Sequence, residues 1–306
     1  MKIIDAEGVA ASSSYADLIE ALRTMFRDGA ATPVRHHHET SPGSILLLMP
    51  CWNANWVGLK TVMFNGANAA RGLSTIQASY LLIDHDTGTA VAMLDGTELT
   101  RRRTAAAGAL AASYLAREDS NILTIVGAGA LAPHFARAHA AVRPIAKINI
   151  WNRSPERAKE VAKQLTTEGM HAVAATDLAS AVKEADIVTC VTSSTKPVVR
   201  GEWLKPGAHL DLAGAFKPSM RETDGEAVGR ARVYVDTRDG ALAEAGDLIQ
   251  ARDEGRFDFA NVQGDLFELC RKTVPGRKNE KEITLFKSCG TALEDLAAAV
   301  LVHLRN

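Results

Sequence analysis

Two sets of residues in this 306-residue chain have the types and spacing to do chemistry. The first is Gly127-Ala-Gly129-Ala130-Leu131-Ala132, entered by the apolar run Ile122 to Val126 and followed by a helix-compatible stretch, 131–142. Strand, tight turn and helix in that order suit a dinucleotide pyrophosphate. Gly127 permits the turn, Gly129 lets the phosphates approach the backbone, and Ala132 lets helix and strand pack closely. The helix N-terminus, at Ala130 and Leu131, then offers free N–H groups to an anion. The second set is a group of front-half cations: Arg35, Lys60, Arg71 and the Arg101–Arg103 run. Lys60 interrupts an apolar strand, and interior lysines are rarely left unpaired. It is expected to face a carboxylate or a ligand; the alternative is an outward lysine on an edge strand. Arg103 opens an Ala-rich helix whose small neighbours leave room for another backbone or a cofactor, whereas Arg101 and Arg102 read as solvated.

The strand after the glycine turn sharpens the cofactor. Lys147 to Trp151 reads as that strand, and it ends in Asn152-Arg153-Ser154, with Arg157 one turn further on. A carboxylate placed about 20 residues beyond the glycines takes the ribose hydroxyls of NAD. Here the place holds Asn152 and Arg153, which can donate to a 2′-phosphate instead of repelling it. NADPH is therefore the preferred cofactor, with use of both NADP and NAD as the alternative if Arg153 is only a solvated surface residue.

These residues need elements to hold them. Amphipathic spacing predicts a helix over 15–27, strands over 44–49, 56–63 and 79–84, and an Ala-rich helix over 100–116. After the glycine turn, helices over 155–168 and 177–183 alternate with strands over 171–174 and 187–191, followed by strands over 209–212 and 232–236. That alternation is the pattern of a doubly wound parallel sheet. A last Ala/Leu-rich helix covers 290–304. The length suits two domains. Charge is balanced, with 35 Lys and Arg against 36 Asp and Glu, which points to neither nucleic acid nor an anionic membrane. No signal-like start or membrane-length apolar run is present, and Cys51, Cys190, Cys270 and Cys289 are widely spaced, so a cytoplasmic protein with reduced thiols is expected. His36, His37 and His38 are adjacent, but alternate strand residues point to opposite faces and cannot converge on a metal; no metal is expected.

The chain resembles the ornithine cyclodeaminase/mu-crystallin family over essentially its whole length. The matching residues are Arg35; Gly58-Leu-Lys60; Asn68-Ala-Ala-Arg71-Gly-Leu-Ser-Thr75; Asp95-Gly-Thr-Glu-Leu-Thr100; Arg103-Thr-Ala-Ala; Gly127-Ala-Gly129; and Phe286-Lys-Ser-Cys-Gly290 with Glu294-Asp295. Within the family, Arg35-His-His-His38, Leu48-Met-Pro50 and Lys287-Ser-Cys-Gly-Thr-Ala-Leu-Glu-Asp295 are most similar to the bacterial Δ1-pyrroline-2-carboxylate/Δ1-piperideine-2-carboxylate reductases. The resemblance implies a Rossmann-type doubly wound parallel sheet (118–283) that binds NAD(P). It also implies a smaller split α+β substrate and dimerisation domain (1–117 and 284–306), and a homodimer. It places Arg35 and Lys60 on the substrate carboxylate, with Met49, Phe216 and Cys289 beside the substrate. Thr75 and Arg103 would lie against the cofactor, and Ser193, Ser194 and Leu212 on its nicotinamide side.

One departure separates branches of the family. The cyclodeaminases carry a catalytic Asp in a Gly-Gly-Asp-x-Pro segment, whereas here the stretch is Ala213-Gly-Ala-Phe216-Lys-Pro218. Phe216 or Ala215 fills the slot, and neither titrates. The reading that follows is reduction of a small cyclic imino acid, Δ1-pyrroline-2-carboxylate to L-proline or the six-membered ring to L-pipecolate. Lys60, a bound water or His37 is the candidate proton source. An ornithine cyclodeaminase, an alanine dehydrogenase or iminosuccinate reductase, and a non-catalytic mu-crystallin-like binding protein are the alternatives.

Overall fold

The computed structural model describes residues 1–306 except Ala69, so that one landmark residue lies outside the described residues. Contacts divide the chain into two units, 1–104 with 291–306, and 105–290.

The first unit begins with β1 (Lys2–Ile4), α1 (Ala6–Ser12) and α2 (Tyr15–Asp28). Ser14 caps α2 by accepting from the Asp17 N–H, and Leu18, Ile19, Leu22 and Phe26 form its buried stripe. Then come β2 (His36–Ser41), β3 (Ser44–Trp52), β4 (Trp56–Asn65), β5 (Ile76–Asp84), β6 (Ala90–Asp95) and α3 (Gly96–Leu115). The sheet order is β1-β6-β5-β4-β3-β2. Only the β1–β6 pair is parallel. The strands outrun their apolar runs because Pro50 and Cys51 continue to pair, opposite Leu59 and Gly58. Alternation splits the sheet into two faces. Met49, Cys51, Lys60, Tyr80, Leu82 and Leu94 are buried on one of them. The other carries Leu46, Leu59, Met63, Leu81 and Met93 in register; Met63 and Met93 are 37% and 40% exposed.

The second unit holds β7 (Ile122–Val126), α4 (Ala132–Ala140), β8 (Lys147–Trp151), α5 (Pro155–Thr167), β9 (Ala172–Ala174), α6 (Leu178–Glu184), β10 (Ile187–Cys190) and β11 (His209–Leu212). It continues through α7 (Gly225–Arg230), β12 (Ala231–Val235), α8 (Arg238–Glu244), α9 (Gly246–Asp253), β13 (Val262–Asp265), α10 (Leu266–Cys270) and β14 (Ile283–Lys287). All eight strands run parallel in the order β13-β12-β14-β11-β10-β7-β8-β9. From β7 the chain moves out through β8 and β9, then returns to β10 on the other side. The switch point lies between β7 and β10, and ligands bind there in doubly wound sheets. Strands buried on both faces explain the near-continuous apolar runs. The last helix, α11 (Ala292–Arg305), returns to the first unit and packs on β3, β4 and β5.

The unit boundaries, 104/105 and 290/291, differ from the sequence-based 117/118 and 283/284. Two packing facts account for the shift. Ala105 to Ala112 of α3 is buried, and a Cβ on Gly108 would lie 2.5 Å from Asp211 Oδ2 of β11, so this half of α3 belongs with the large sheet. β14 lies between β11 and β12, inside that sheet. Among the described residues no helix is long and apolar enough to cross a membrane.

Candidate active site

In the large sheet, Gly127 turns at φ 114°, and a Cβ there would sit 2.8 Å from the Val191 carbonyl. Only glycine meets both demands. A Cβ on Gly129 would meet nothing within 4 Å, so its backbone is open to an approaching phosphate. Ala130 and Leu131 follow in the turn before α4, with Leu131 as its N-cap. Asn152 closes the next βα turn: its Oδ1 accepts from Ala128 N–H at 3.4 Å and its Nδ2 donates to the Ser154 carbonyl at 3.2 Å. Arg153 and Arg157 are exposed beside it. The Ser154 hydroxyl donates to Glu156 at 3.2 Å, which puts a carboxylate in the first turn of α5. This arrangement fits a dinucleotide, with two free arginines near the ribose end of the motif.

Beyond β10 and β11 the chain forms the loops 191–194 and 213–216. Ser193 is exposed, while the Ser194 hydroxyl donates to the Lys196 carbonyl at 2.6 Å and shapes its own loop. Phe216 is 42% exposed, with Lys217 Nζ 5.9 Å from its ring centre, so it is no core residue. Leu212 requires a correction. Its side chain is fully buried in the apolar core and its carbonyl accepts from Ser288 N–H at 3.1 Å, which leaves no surface for a ligand. Cys289 is half-buried, and its N–H donates to Asp236 Oδ2 at 2.7 Å.

Beneath these loops lies a charged cluster with no counterpart in the sequence reading. Glu222 accepts from Thr192 N–H at 2.6 Å and Thr192 Oγ1 at 2.8 Å through one oxygen. Through the other it accepts from Gly214 N–H at 2.7 Å and Ala215 N–H at 3.3 Å. Asp247 Oδ1 accepts from the Glu222 and Thr223 N–H groups at 2.7 and 3.0 Å, and Lys287 Nζ lies 3.4 Å from Asp247 Oδ2. Burial, reinforced by Asp247 and opposed by Lys287, pushes the Glu222 carboxyl up to about 7. Burial also raises Asp236.

The small-sheet cluster is built differently. Lys60 is 2% exposed and donates to Asp295 Oδ2 of α11 at 2.6 Å. Arg103 donates through Nε to Asp295 Oδ1 at 2.9 Å and through its guanidinium to Glu294. Two cations and two carboxylates thus balance inside one unit. Burial, with repulsion from Arg103, lowers Lys60 to about 8 against the pull of Asp295. Burial also works against the Arg103 charge, but Asp295 and Glu294 hold it above its ordinary range. Cys51 is pushed up to about 12 by burial and then by Asp295, and Tyr80 rises for the same reasons. Gly58 is required because a Cβ would overlap the Tyr80 hydroxyl at 1.8 Å.

Lys60 pairs with Met49 across β3 and with Tyr80 across β5. Met49 and Lys60 therefore share one row on one face of the sheet, and half-buried Arg35 directly precedes the His36–Leu48 pair at the start of β2. Thr75 is half-buried just before β5, and its carbonyl accepts from Asn65 N–H at 2.9 Å. Arg101 lies 3.7 Å from Glu98 and stays partly exposed. Arg102, in contrast, is a packing residue, donating to Ser13 Oγ at 2.9 Å and covering Tyr15 at 4.8 Å. His36 and His38 stack at 6.4 Å with both side chains exposed on β2. A cleft of about 870 Å³ lined by Met25, Trp52, Asn53, Ala297 and Leu301 contains none of the residues singled out from the sequence.

Local spacing singles out Lys60 and Arg103 but gives no role to Glu294 and Asp295, which lie on a helix distant in sequence. Lys287 gives a related signal, a charge that closes the apolar strand Ile-Thr-Leu-Phe-Lys where Lys60 interrupts its own.

The profile of the ornithine cyclodeaminase/mu-crystallin family matches residues 3–306. Protein SAR DEFICIENT 4 of Arabidopsis thaliana is 40% identical over 98% of this chain and 96% of its own length. A Δ1-pyrroline-2-carboxylate reductase of Paracoccus denitrificans is 38% identical over 94% and 91% of the two chains. The solved Δ1-pyrroline-2-carboxylate reductase of Thermococcus litoralis, in complex with NADH and L-proline, superposes with a TM-score of 0.94 at 32% identity, covering 100% of this chain and 97% of its own.

Proposed function

This chain belongs to the ornithine cyclodeaminase/mu-crystallin family, and from that premise we propose that it reduces cyclic ketimine carboxylates with a nicotinamide cofactor. The substrates are Δ1-pyrroline-2-carboxylate, giving L-proline, and its six-membered homologue, giving L-pipecolate. The observation that carries this reading is the Met49–Lys60 pair, with Lys60 buried and oriented by Asp295, and with Arg35 directly before the strand that pairs with β3. A buried cation paired with an apolar side chain suits a small ring that bears one carboxylate. Asp295 and Glu294 already balance Lys60 and Arg103, so the ammonium that meets an incoming carboxylate is held in place before the substrate arrives. The bound cofactor supplies a hydride. The chain supplies orientation and a proton, and Lys60, lowered to about 8, is an ammonium at neutral pH that can give one to the imine nitrogen. The glycine turn and the N-terminus of α4 hold the pyrophosphate, and exposed Arg153 and Arg157 favour NADPH. The apolar sheet face at Leu59, Leu81 and Met93 supports a homodimer; Leu59→Glu is expected to give a monomer in sedimentation. Four cysteines spaced far apart along the chain, with no Cys-x-x-Cys pair, suit the cytoplasm.

The test is a steady-state assay of NADPH and NADH with pyrroline-2-carboxylate, piperideine-2-carboxylate, pyruvate plus ammonia, and ornithine. Turnover of the two cyclic imines is expected. Ornithine is expected to yield no proline or ammonia, because neither Ala215 nor Phe216 can move a proton. Robust proline formation from ornithine overturns this reading.

A further inference from the structure

The loops that follow β10 and β11 sit at the carboxyl ends of adjacent strands, and β10 borders the switch point. The β10–β11 ladder ends with the Ala213 N–H donating to the Cys190 carbonyl, and among the described residues no backbone hydrogen bond links 191–194 to 213–216. What joins them is Glu222, whose two oxygens divide their four bonds evenly between the loops: Thr192 on one side, Gly214 and Ala215 on the other. The fit is close, since a Cβ on Gly214 would lie 2.2 Å from the Thr192 carbonyl and 2.3 Å from Glu222 Oε1. Glu222 is itself pinned from behind, its N–H donating to Asp247 at 2.7 Å and its carbonyl accepting from Val198 and Val199 N–H groups at 2.8 and 3.0 Å.

We propose that Glu222 is a positioning residue for the nicotinamide half of the cofactor, a buried carboxylate that clasps the 191–194 and 213–216 loops into one platform. The proposal rests on the reading of the large sheet as a nicotinamide-cofactor unit. Four N–H and O–H donors converge on two oxygens, an arrangement that only the ionised carboxylate satisfies in full. A proton on Glu222 would need an acceptor, and Thr192 Oγ1 could serve only by turning away from donation. An amide in its place presents an NH2 group to N–H donors. The charges facing Glu222 are Asp247 from α9 and Lys287 from β14, with the Cys190 thiol on β10; its neighbour Arg221 is engaged by Glu254. Burial and Asp247 keep this carboxyl near neutrality, so the clasp is complete above about pH 7 and weakens as pH falls below it.

Calorimetric titration separates this role from simple support of the fold. NADPH is compared with 2′-phospho-ADP-ribose, which lacks the nicotinamide, in wild type, Glu222→Gln and Thr192→Val. Glu222→Gln is expected to weaken NADPH about tenfold or more and to leave the fragment unchanged. Thr192→Val, which removes one of the four donors and keeps the rest, should weaken NADPH by a smaller factor. Wild-type affinity for NADPH should drop as pH falls through about 7, and that dependence should vanish in Glu222→Gln. The proposal is overturned if both variants bind NADPH like wild type, if fragment and dinucleotide weaken equally, or if the pH dependence survives in Glu222→Gln. Wild type that binds neither these ligands nor NADH sinks the cofactor reading itself, and this proposal with it.

Discussion

Lys60, inside an apolar strand, and Lys287, at the end of one, are both buried, yet their surroundings drive them in opposite directions. Lys60 sits in a cluster of two cations and two carboxylates, where burial and Arg103 together outweigh Asp295 and lower it to about 8. Lys287 is buried just as fully, but Asp247, Cys289 and Glu222 surround it without a second cation, and their combined attraction raises it. The difference is one of neighbours rather than depth. A balanced cluster with a competing cation leaves a lysine able to release a proton near neutral pH. An acid-rich cluster locks its lysine in the charged form and shifts the burden to the carboxylates, of which Glu222 and Asp236 are raised. The first arrangement suits proton donation, the second the shaping of loops.

The comparison breaks most sharply on removal of each lysine. Breaking a buried ion pair costs about 3–5 kcal/mol of stability, and both Lys60→Met and Lys287→Met should show a loss of that order in denaturant unfolding. Their kinetics should diverge. Lys60→Met loses a charged partner of the substrate carboxylate, about 2–5 kcal/mol or roughly 30- to 5000-fold in kcat/KM, with NADPH affinity retained. Lys287→Met should instead weaken NADPH binding and spare the KM for the imine. Equal kinetic losses in the two variants would erase the distinction.

A stability profile tests the acid-rich side. Glu222 stands at about 7 in the folded chain against an ordinary 4.5. The folded state therefore holds a proton that the unfolded chain has already released. Its contribution to stability is full below about pH 4.5 and is lost as pH rises through 7, by about 3 kcal/mol. Glu222→Gln should flatten this slope in unfolding experiments between pH 5 and 8; an unchanged slope would assign it elsewhere.

The balanced side has its own profile. If the ammonium form of Lys60 is the working form, kcat/KM should fall about tenfold per pH unit above about 8. A guanidinium stays charged throughout that range, so Lys60→Arg, however slow, should lack the limb. Its persistence would remove Lys60 as the titrating group.

The smallest effect belongs to the exposed rim of the large sheet. Arg153→Asp replaces attraction to a 2′-phosphate by repulsion, and the NADPH/NADH preference should swing by about fivefold, the scale of roughly 1 kcal/mol for a solvent-exposed contact. Glu156, one turn away, already tempers the positive charge there. An unmoved ratio would show that Arg153 does not read the phosphate.

The order β7, glycine turn, α4, β8 was legible in the sequence because all its determinants are local. A tight turn needs Gly127, a close approach needs Gly129, and both lie beside the strand they terminate. The need of Lys60 for a partner was legible for a similar reason: a charge inside an apolar strand declares itself. Which partner it takes was decided only in three dimensions, since Asp295 stands 235 residues away and reaches Lys60 because α11 returns to pack on β3, β4 and β5. The same holds for Glu222, which lies in a polar stretch without periodicity and gains its role only when the ends of β10 and β11 converge on it. Leu212 shows the converse, a residue beside a loop whose side chain the sheet turns inward. Local spacing fixes backbone geometry, but the compensation of buried charge depends on which distant segments the topology brings within hydrogen-bond reach.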